Sequence, residues 1–230
     1  MAKILGKPMI GHVYQRVIEC PLVTETAVAT CDQVIYDYIR SIGGTAVMTS
    51  ASHERASDRC AEALLKIEKE KSYQFDLVVM VQGDEPMVHP EMIREAIEPF
   101  LTDPSIIVTN LLGKIKNEKE FQDRNCIKVV CDLQKNAMYF SREPIPTSIR
   151  EKGAFSGKQI CVIPFQRDFL MEYTKLPPTP LEIAESVDML RILEHGKKVR
   201  MIETAYDTQS VDTEQDLKNV EALITKNKAY

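Results

Sequence analysis

Residues 76–86 read Asp76-Leu-Val-Val-Met-Val-Gln-Gly-Asp-Glu-Pro86, an apolar run that stops at an amide and two carboxylates. The five apolar residues Leu77–Val81, bounded by turn signals, predict a strand covered on both faces. Ligand sites in open α/β sheets lie at the carboxyl ends of such strands, and Gln82, Asp84 and Glu85 have no evident packing task there. Asp84 suits Mg²⁺, an ion that favours carboxylate oxygens shared with substrate phosphates. The competing reading is a turn that happens to be acidic, with Gly83 supplying a positive φ.

A second acidic point is Ser210-Val-Asp-Thr-Glu-Gln-Asp-Leu217. Its plain reading is a helix start, with Asp212 or Thr213 as N-cap and Glu214 on the positive end of the helix dipole. Paired with Asp84, Asp212 becomes a candidate second carboxylate for one metal ion. Thr49–Arg59 reads Thr-Ser-Ala-Ser-His-Glu-Arg-Ala-Ser-Asp-Arg, a strand end, a polar turn and a helix start. Ser57, Asp58 and Arg59 could read a base edge or bind phosphate at a helix N-terminus; a simple N-cap fits equally well. His53 alone reads as a loop histidine. Lys128 and Arg142 lie near strand ends, where either could hold a carboxylate or phosphate, or be a solvated surface charge.

The elements that must position these groups alternate. Helical spacing marks 9–20, 33–42, 56–70 and 90–101, and strands are expected at 26–30, 45–48 and 77–81. That βαβαβ rhythm predicts a parallel sheet with right-handed crossovers. After about residue 105 strands are expected at 106–112, 126–132, 137–140 and 159–163, with a long loop over 141–158. Helices at 167–174 and 181–195, a strand at 198–203 and a helix at 213–226 complete the chain. The expected fold class is α/β, a single domain over 1–230 with a Rossmann-like, mainly parallel sheet and a small antiparallel insertion at about 133–165.

The 230 residues are 44% hydrophobic and 27% charged, enough for a sizeable core. The net charge of −5 argues against a general nucleic-acid binder, although a local basic pocket for phosphates is compatible with it. No apolar run approaches the roughly 18 residues of a membrane span, and Met1-Ala-Lys-Ile-Leu is neither a signal peptide nor a lipidation motif. The six cysteines are scattered, without a CxxC pair or zinc-finger spacing, and read as free thiols of a reducing cytoplasm.

Together these segments resemble the cytidylyltransferases that activate 3-deoxy-manno-octulosonate (Kdo), the CMP-Kdo synthetases. The resemblance runs from residue 5 to about 225, through Gly6-Lys7-Pro8-Met9-Ile10-Gly11-His12-Val13, His53–Arg59, Val81–Pro86, Lys128-Val129-Val130 and Tyr139-Phe140-Ser141-Arg142. It continues in Pro180-Leu181-Glu182, Leu190-Arg191, Val211-Asp212-Thr213 and Asp216-Leu217, and Gln82–Pro86 is its most specific stretch. It implies a nucleotide-diphospho-sugar transferase fold, a homodimer, and a reaction joining CTP to a 2-keto-3-deoxy sugar acid with Mg²⁺, giving a CMP-sugar and pyrophosphate for surface polysaccharide such as lipopolysaccharide. By the same resemblance Asp84 and Asp212 hold the metal, Gln82 and Arg142 lie on the sugar side, and Ser57 and Arg59 lie on the nucleotide side. Lys128 and Asp188 complete the substrate-binding candidates.

Three departures stand out. The family opens with a strand and a triphosphate-cradling loop of the type Ile-Pro-Ala-Arg-x-x-Ser-x-Arg-x-Pro-Gly-Lys, and Met1-Ala-Lys-Ile-Leu-Gly-Lys-Pro begins after that point. The expectation is therefore a chain lacking its first strand and most of its CTP cradle. A family segment of the type His-x-Gly-x-Tyr is here Gln159-Ile160-Cys161-Val162-Ile163, and Asp188-Met189-Leu190-Arg191 stands where Glu-Gln-Leu-Arg is usual. These last two bear on which sugar is used, with a nonulosonate (sialic-acid-like) cytidylyltransferase as the alternative, while the first bears on activity itself, with a catalytically silent paralogue that cannot hold CTP as the alternative.

Overall fold

A computed structural model describes residues 1–147 and 157–226. In chain order the elements begin with β1 (Lys3–Ile4), β2 (Lys7–Pro8), α1 (Met9–Ile18), β3 (Ala27–Thr30), α2 (Gln33–Ser41), β4 (Thr45–Met48) and α3 (Ala56–Lys71). They continue with β5 (Leu77–Val81), α4 (Pro90–Thr102), β6 (Thr109–Lys114), α5 (Glu118–Gln122), β7 (Lys128–Cys131) and β8 (Ala137–Ser141). The last are β9 (Gly157–Ile160), β10 (Val162–Gln166), α6 (Arg167–Tyr173), α7 (Pro180–Glu185), α8 (Asp188–Glu194), β11 (Arg200–Glu203) and α9 (Glu214–Lys226). No helix among the described residues is long and apolar enough to cross a membrane. The fold is a mixed α/β one. The chain divides into two compact units, one of Met1–Phe75, Met80–Arg94 and Asp207–Tyr230, the other of Asp76–Val79 and Glu95–Tyr206.

In the first unit β3 and β4 form a parallel ladder from Ala27↔Thr45 to Thr30↔Met48, with α2 as the crossover between them. Asp32 caps α2 by accepting the Val34 amide at 2.8 Å. The sequence reading missed the hairpin β1–β2, whose two central residues, Leu5 (φ 49°) and Gly6 (φ 82°), both take left-handed backbone. That is the geometry of a tight two-residue hairpin turn, and Leu-Gly carries only half of its usual signature. Ile4 of this hairpin is fully buried with Met87, Val220 and Ile224, and Met9, Val211, Leu217 and Leu223 pack around them. This cluster seats α9 and the turn that follows β5 on one apolar support.

The second unit holds a five-stranded sheet in the order β11-β6-β9-β7-β8, and its Leu77–Val79 belong to β5, which pairs with β10. β11 runs parallel to β6, while β6–β9, β9–β7 and β7–β8 are antiparallel. The strand expected at 159–163 is two strands broken at Cys161, because the chain exchanges partners there: β9 pairs with β6 and β10 with β5. The helix expected at 181–195 is likewise two helices, broken where Ser186 adopts φ 53°. Residues 148–156 of the predicted 141–158 loop lie outside the described residues.

α7 starts with the Thr179 amide donating to Glu182 Oε2 at 3.2 Å and with Pro180 as its first residue. Glu182 is fully buried and pairs with Arg191 of α8 through two hydrogen bonds of 2.6 and 2.7 Å, while the Arg191 guanidinium lies over the Tyr173 ring. Removing one partner of such a pair leaves a buried charge uncompensated. Arg191→Met should therefore lower the unfolding free energy by about 3–5 kcal/mol in urea titrations. Arg191→Met combined with Glu182→Gln, which keeps a capping amide and removes the charge, should recover most of that loss.

Candidate functional site

At the end of β5 the chain turns through Gln82–Pro86, closed by the Glu85 amide donating to the Gln82 carbonyl at 3.2 Å. The Val211 amide donates to the Asp84 carbonyl at 2.9 Å, fixing the turn to the segment before α9. Glu85 does have a structural task, contrary to expectation. It is buried and accepts the Thr208 hydroxyl at 2.9 Å. Gly83 is not in the left-handed region, so the acidic-turn reading loses its reason for glycine. A Cβ there would meet Ile10 Cδ1 at 3.2 Å, which makes close packing the constraint. The Gln82 amide makes no hydrogen bond among the described residues. Asp84 keeps a buried Oδ1 that no hydrogen bond satisfies among them. Burial pushes its carboxyl above the ordinary carboxylate value, and the charge of Asp212 adds to the effect.

Asp212 is not the cap of α9. Thr213 and Asp216 cap it reciprocally: the Thr213 amide donates to Asp216 Oδ2 at 2.9 Å and the Asp216 amide to Thr213 Oγ1 at 3.2 Å. The Asp212 carboxylate is left with a 3.4 Å contact from the Ser210 hydroxyl. Two carboxylates, one of them holding a buried unpartnered oxygen, suit a divalent cation whose remaining ligands are phosphate or water oxygens. No group of three or more His, Cys, Asp or Glu side chains that could hold a metal occurs among the described residues.

Ser57 is fully buried in the first turn of α3, and the N-cap position belongs to Arg55 without a side-chain cap bond. Ser57 is therefore not the simple N-cap that the spacing allowed. Arg59 donates to Thr49 Oγ1 at 2.6 Å and to the Ser50 and His53 carbonyls at 3.2 and 3.3 Å, clasping the 49–53 turn. His53 is paired with Glu62 at 2.5 Å rather than idle in a loop. Glu62 also accepts from Lys66 and from the Ser50 amide, and these bonds lower its carboxyl to about 2.

The other candidates belong to the second unit. Lys128 is fully buried and donates to the main-chain carbonyls of Asp123, Cys126 and Arg142 at 2.7, 2.6 and 2.6 Å. Those bonds use all three ammonium donors, so Lys128 braces the strand ends and is neither a solvated charge nor a spare cation for substrate. Arg142 donates through Nε to the Glu185 carbonyl at 2.6 Å. Its Nη1 and Nη2 reach the carbonyls of Arg124 at 3.0 Å and Ser186 at 3.5 Å. Asp188 is half-buried in the first turn of α8. Gln159 donates to the buried Asn110 side chain at 2.7 Å, and Ile163 is buried.

The cytidylyltransferase family model matches residues 1–199. The chain belongs to the cytidylyltransferase family. It is 40% identical to the 3-deoxy-manno-octulosonate cytidylyltransferase of Geobacter metallireducens, an alignment covering 96% of the chain and 89% of that relative. The corresponding protein of Geobacter sulfurreducens is 41% identical over 96% of the chain and 90% of its own length. A solved CMP:2-keto-3-deoxy-manno-octonic acid synthetase complexed with CTP superposes with a TM-score of 0.88 at 34% identity, covering 98% of this chain and 90% of that one. A 4-diphosphocytidyl-2C-methyl-D-erythritol synthase from Anaerococcus prevotii, 13% identical, shares the fold with a TM-score of 0.63 and covers 97% and 91% of the two chains. Cytidylyltransferases are nucleotidyltransferases, so the chain is of an enzyme family and the α/β reading of its fold stands.

Sequence reasoning passed over Glu62 and Glu185. Arg59, Glu62 and Lys66 share one face of α3 at helical spacing, a usable signal for Glu62. Glu185 ends α7 at a helix break that no proline or glycine announces. A raised native-state carboxyl value for Asp84 penalises its charged form in the folded protein, so the folded state binds the extra proton. The sign follows: the penalty is absent below the unfolded carboxylate value, near 3.8, grows as pH rises above it and is complete above the native value. Without divalent ions, Asp84→Asn should match the wild-type melting temperature near pH 3 and exceed it by a few degrees at pH 7, as read by calorimetry.

Proposed function

We propose that this enzyme transfers CMP from CTP to a 3-deoxy-2-keto sugar acid of the Kdo type, releasing pyrophosphate with Mg²⁺. The observation that carries the reading is the buried, unpartnered Oδ1 of Asp84 beside the charge of Asp212. The relatives named above and the CTP complex of one of them support the choice of substrates. In the reaction, the anomeric hydroxyl oxygen bonds to the α-phosphorus of CTP and gives up its proton to solvent, the bond from that phosphorus to the β-phosphate bridge breaks, and pyrophosphate leaves with the electron pair. Little covalent chemistry falls to the protein, so rate comes from positioning and from neutralising charge.

Asp84 and Asp212 would hold Mg²⁺, which when bound supplies Lewis-acid stabilisation of the negative charge on the phosphate oxygens. Ser57 and Arg59 serve the nucleotide, with the 49–53 turn held by Arg59 and Glu62. Gln82 and Arg142 serve the sugar acid. Asp188 is a further substrate contact, and Lys128 supports Arg142 through its main-chain carbonyl. The chain acts as a single catalytic domain in a cytoplasmic homodimer that supplies lipopolysaccharide or another surface glycan without binding nucleic acid or inserting into a membrane. Gln159 and Ile163 favour one second reading, a nonulosonate (acylneuraminate-like) substrate, because a tethered amide and a buried aliphatic chain offer different groups from an imidazole and a phenol.

The test is pyrophosphate release from CTP and Mg²⁺ with a panel of keto-sugar acids. Release with Kdo is expected, release with a nonulosonate alone would move the substrate to the second reading, and silence across the panel would overturn the transferase reading. Asp84→Ala should cut kcat by at least about 100-fold with a melting temperature within a few degrees of wild type. Asp212→Asn should shift the Mg²⁺ titration to higher concentration, and an unchanged titration would remove Asp212 from the metal site.

A further inference from the structure

Arg142 is a guanidinium that no carboxylate among the described residues pairs with. Its three nitrogens donate to the main-chain carbonyls of Glu185, Arg124 and Ser186, which leaves two of its five N–H donors without a partner among the described residues. The Glu185 carboxylate, which bonds the main chain of residue 142, is spent on other donors. Its Oε1 accepts the Tyr139 hydroxyl at 3.2 Å and the Ser141 hydroxyl at 3.0 Å, and its Oε2 accepts the Arg142 main-chain amide at 2.8 Å. The carbonyl of Arg142 in turn accepts from the buried ammonium of Lys128 at 2.6 Å.

Residue 142 is thus gripped at its amide, its carbonyl and its Nε, while no ion pair among the described residues quenches the positive charge of its head. Had Glu185 met the guanidinium in a bidentate pair, the head could not offer a fork to an outside anion. By turning to neutral donors, Glu185 holds the backbone of Arg142 and leaves the fork in play. The same carboxylate raises the phenol of Tyr139, with burial the larger cause, as expected of a close negative charge.

We infer that Glu185 is a positioning residue for substrate recognition, orienting Arg142 as the donor that takes the carboxylate of the sugar acid. This deepens the proposed function and rests on its sugar-side reading of Arg142. It predicts that Glu185 acts only through Arg142, and that its loss is felt by the acid and not by the nucleotide.

The experiment is calorimetric titration of the full chain, with Kdo and separately with CTP and Mg²⁺, for wild type, Arg142→Ala, Glu185→Gln and the double variant. Glu185→Gln puts an amide donor or a weaker acceptor against the Arg142 amide at nearly constant volume. It should weaken Kdo binding about tenfold, the scale of one hydrogen bond to a charged group. CTP binding should change by less than about twofold. In the Arg142→Ala background, Glu185→Gln should add less than about a further twofold, the non-additivity of residues acting as one unit. Should Glu185→Gln fail to fold, Tyr139→Phe, which removes one donor to Oε1, should weaken Kdo about threefold in the wild-type background and not in Arg142→Ala. Weak binding by Arg142→Ala with wild-type binding by Glu185→Gln, or additive losses, would overturn the role of Glu185 and leave Arg142 in place. Wild-type affinity for Kdo in Arg142→Ala, or no Kdo binding by wild type, would overturn the sugar-side reading and this inference with it.

Discussion

An oxygen of a carboxylate removed from water without a hydrogen-bond donor is costly, and Asp84 carries one at the end of β5. Everything that keeps this oxygen where it is must outweigh that cost. The amide of Val211 holds the Asp84 carbonyl, and Thr208 satisfies the neighbouring Glu85, so two segments 123 residues apart in the chain are joined at one turn. Beneath them Met87 and Val211 enter the apolar cluster of Ile4, Val220 and Ile224. Apolar burial thereby stabilises a polar arrangement that would not persist alone. Strain or desolvation tolerated in this way is a mark of a functional position.

A different economy governs the second unit, where cations serve broken backbone. A helix end leaves carbonyls without intrahelical donors, and the break between α7 and α8 exposes those of Glu185 and Ser186, which Arg142 satisfies. Lys128 does the same for three carbonyls around β7 and β8. Burial lowers its ammonium value, the sign expected for a cation taken out of water. These charges are donors first and electrostatic partners second. That explains why a charge-counting reading of the chain, which treats Lys128 and Arg142 as equivalent cations near strand ends, misses how differently they are used.

The 49–53 turn shows the same principle on the first unit. Two residues of α3 hold it, Arg59 through the Thr49 hydroxyl and two carbonyls and Glu62 through an amide and the His53 ring. A rigid helix thus fixes the shape of an irregular segment, the usual way in which loops are given a defined geometry for binding.

Much of this was legible in the residues themselves. The alternation of strand and helix through the first hundred residues, the strand of Leu77–Val81 and the carboxylate at Asp84 follow from local periodicity, and local periodicity is what a chain carries most strongly. The resemblance that marked Gln82–Pro86 was confirmed at the level of the family. Where competing local signals were balanced, only the folded chain decided. Thr213 rather than Asp212 caps α9 because Asp216 reciprocates it, and Gly83 is small for Ile10 rather than for a left-handed turn. The breaks at Cys161 and Ser186 depend on which strand or helix comes next in space, and the burial of Glu85 depends on Thr208. Such choices are made by contacts between residues far apart in the chain, and spacing along the chain carries no record of them.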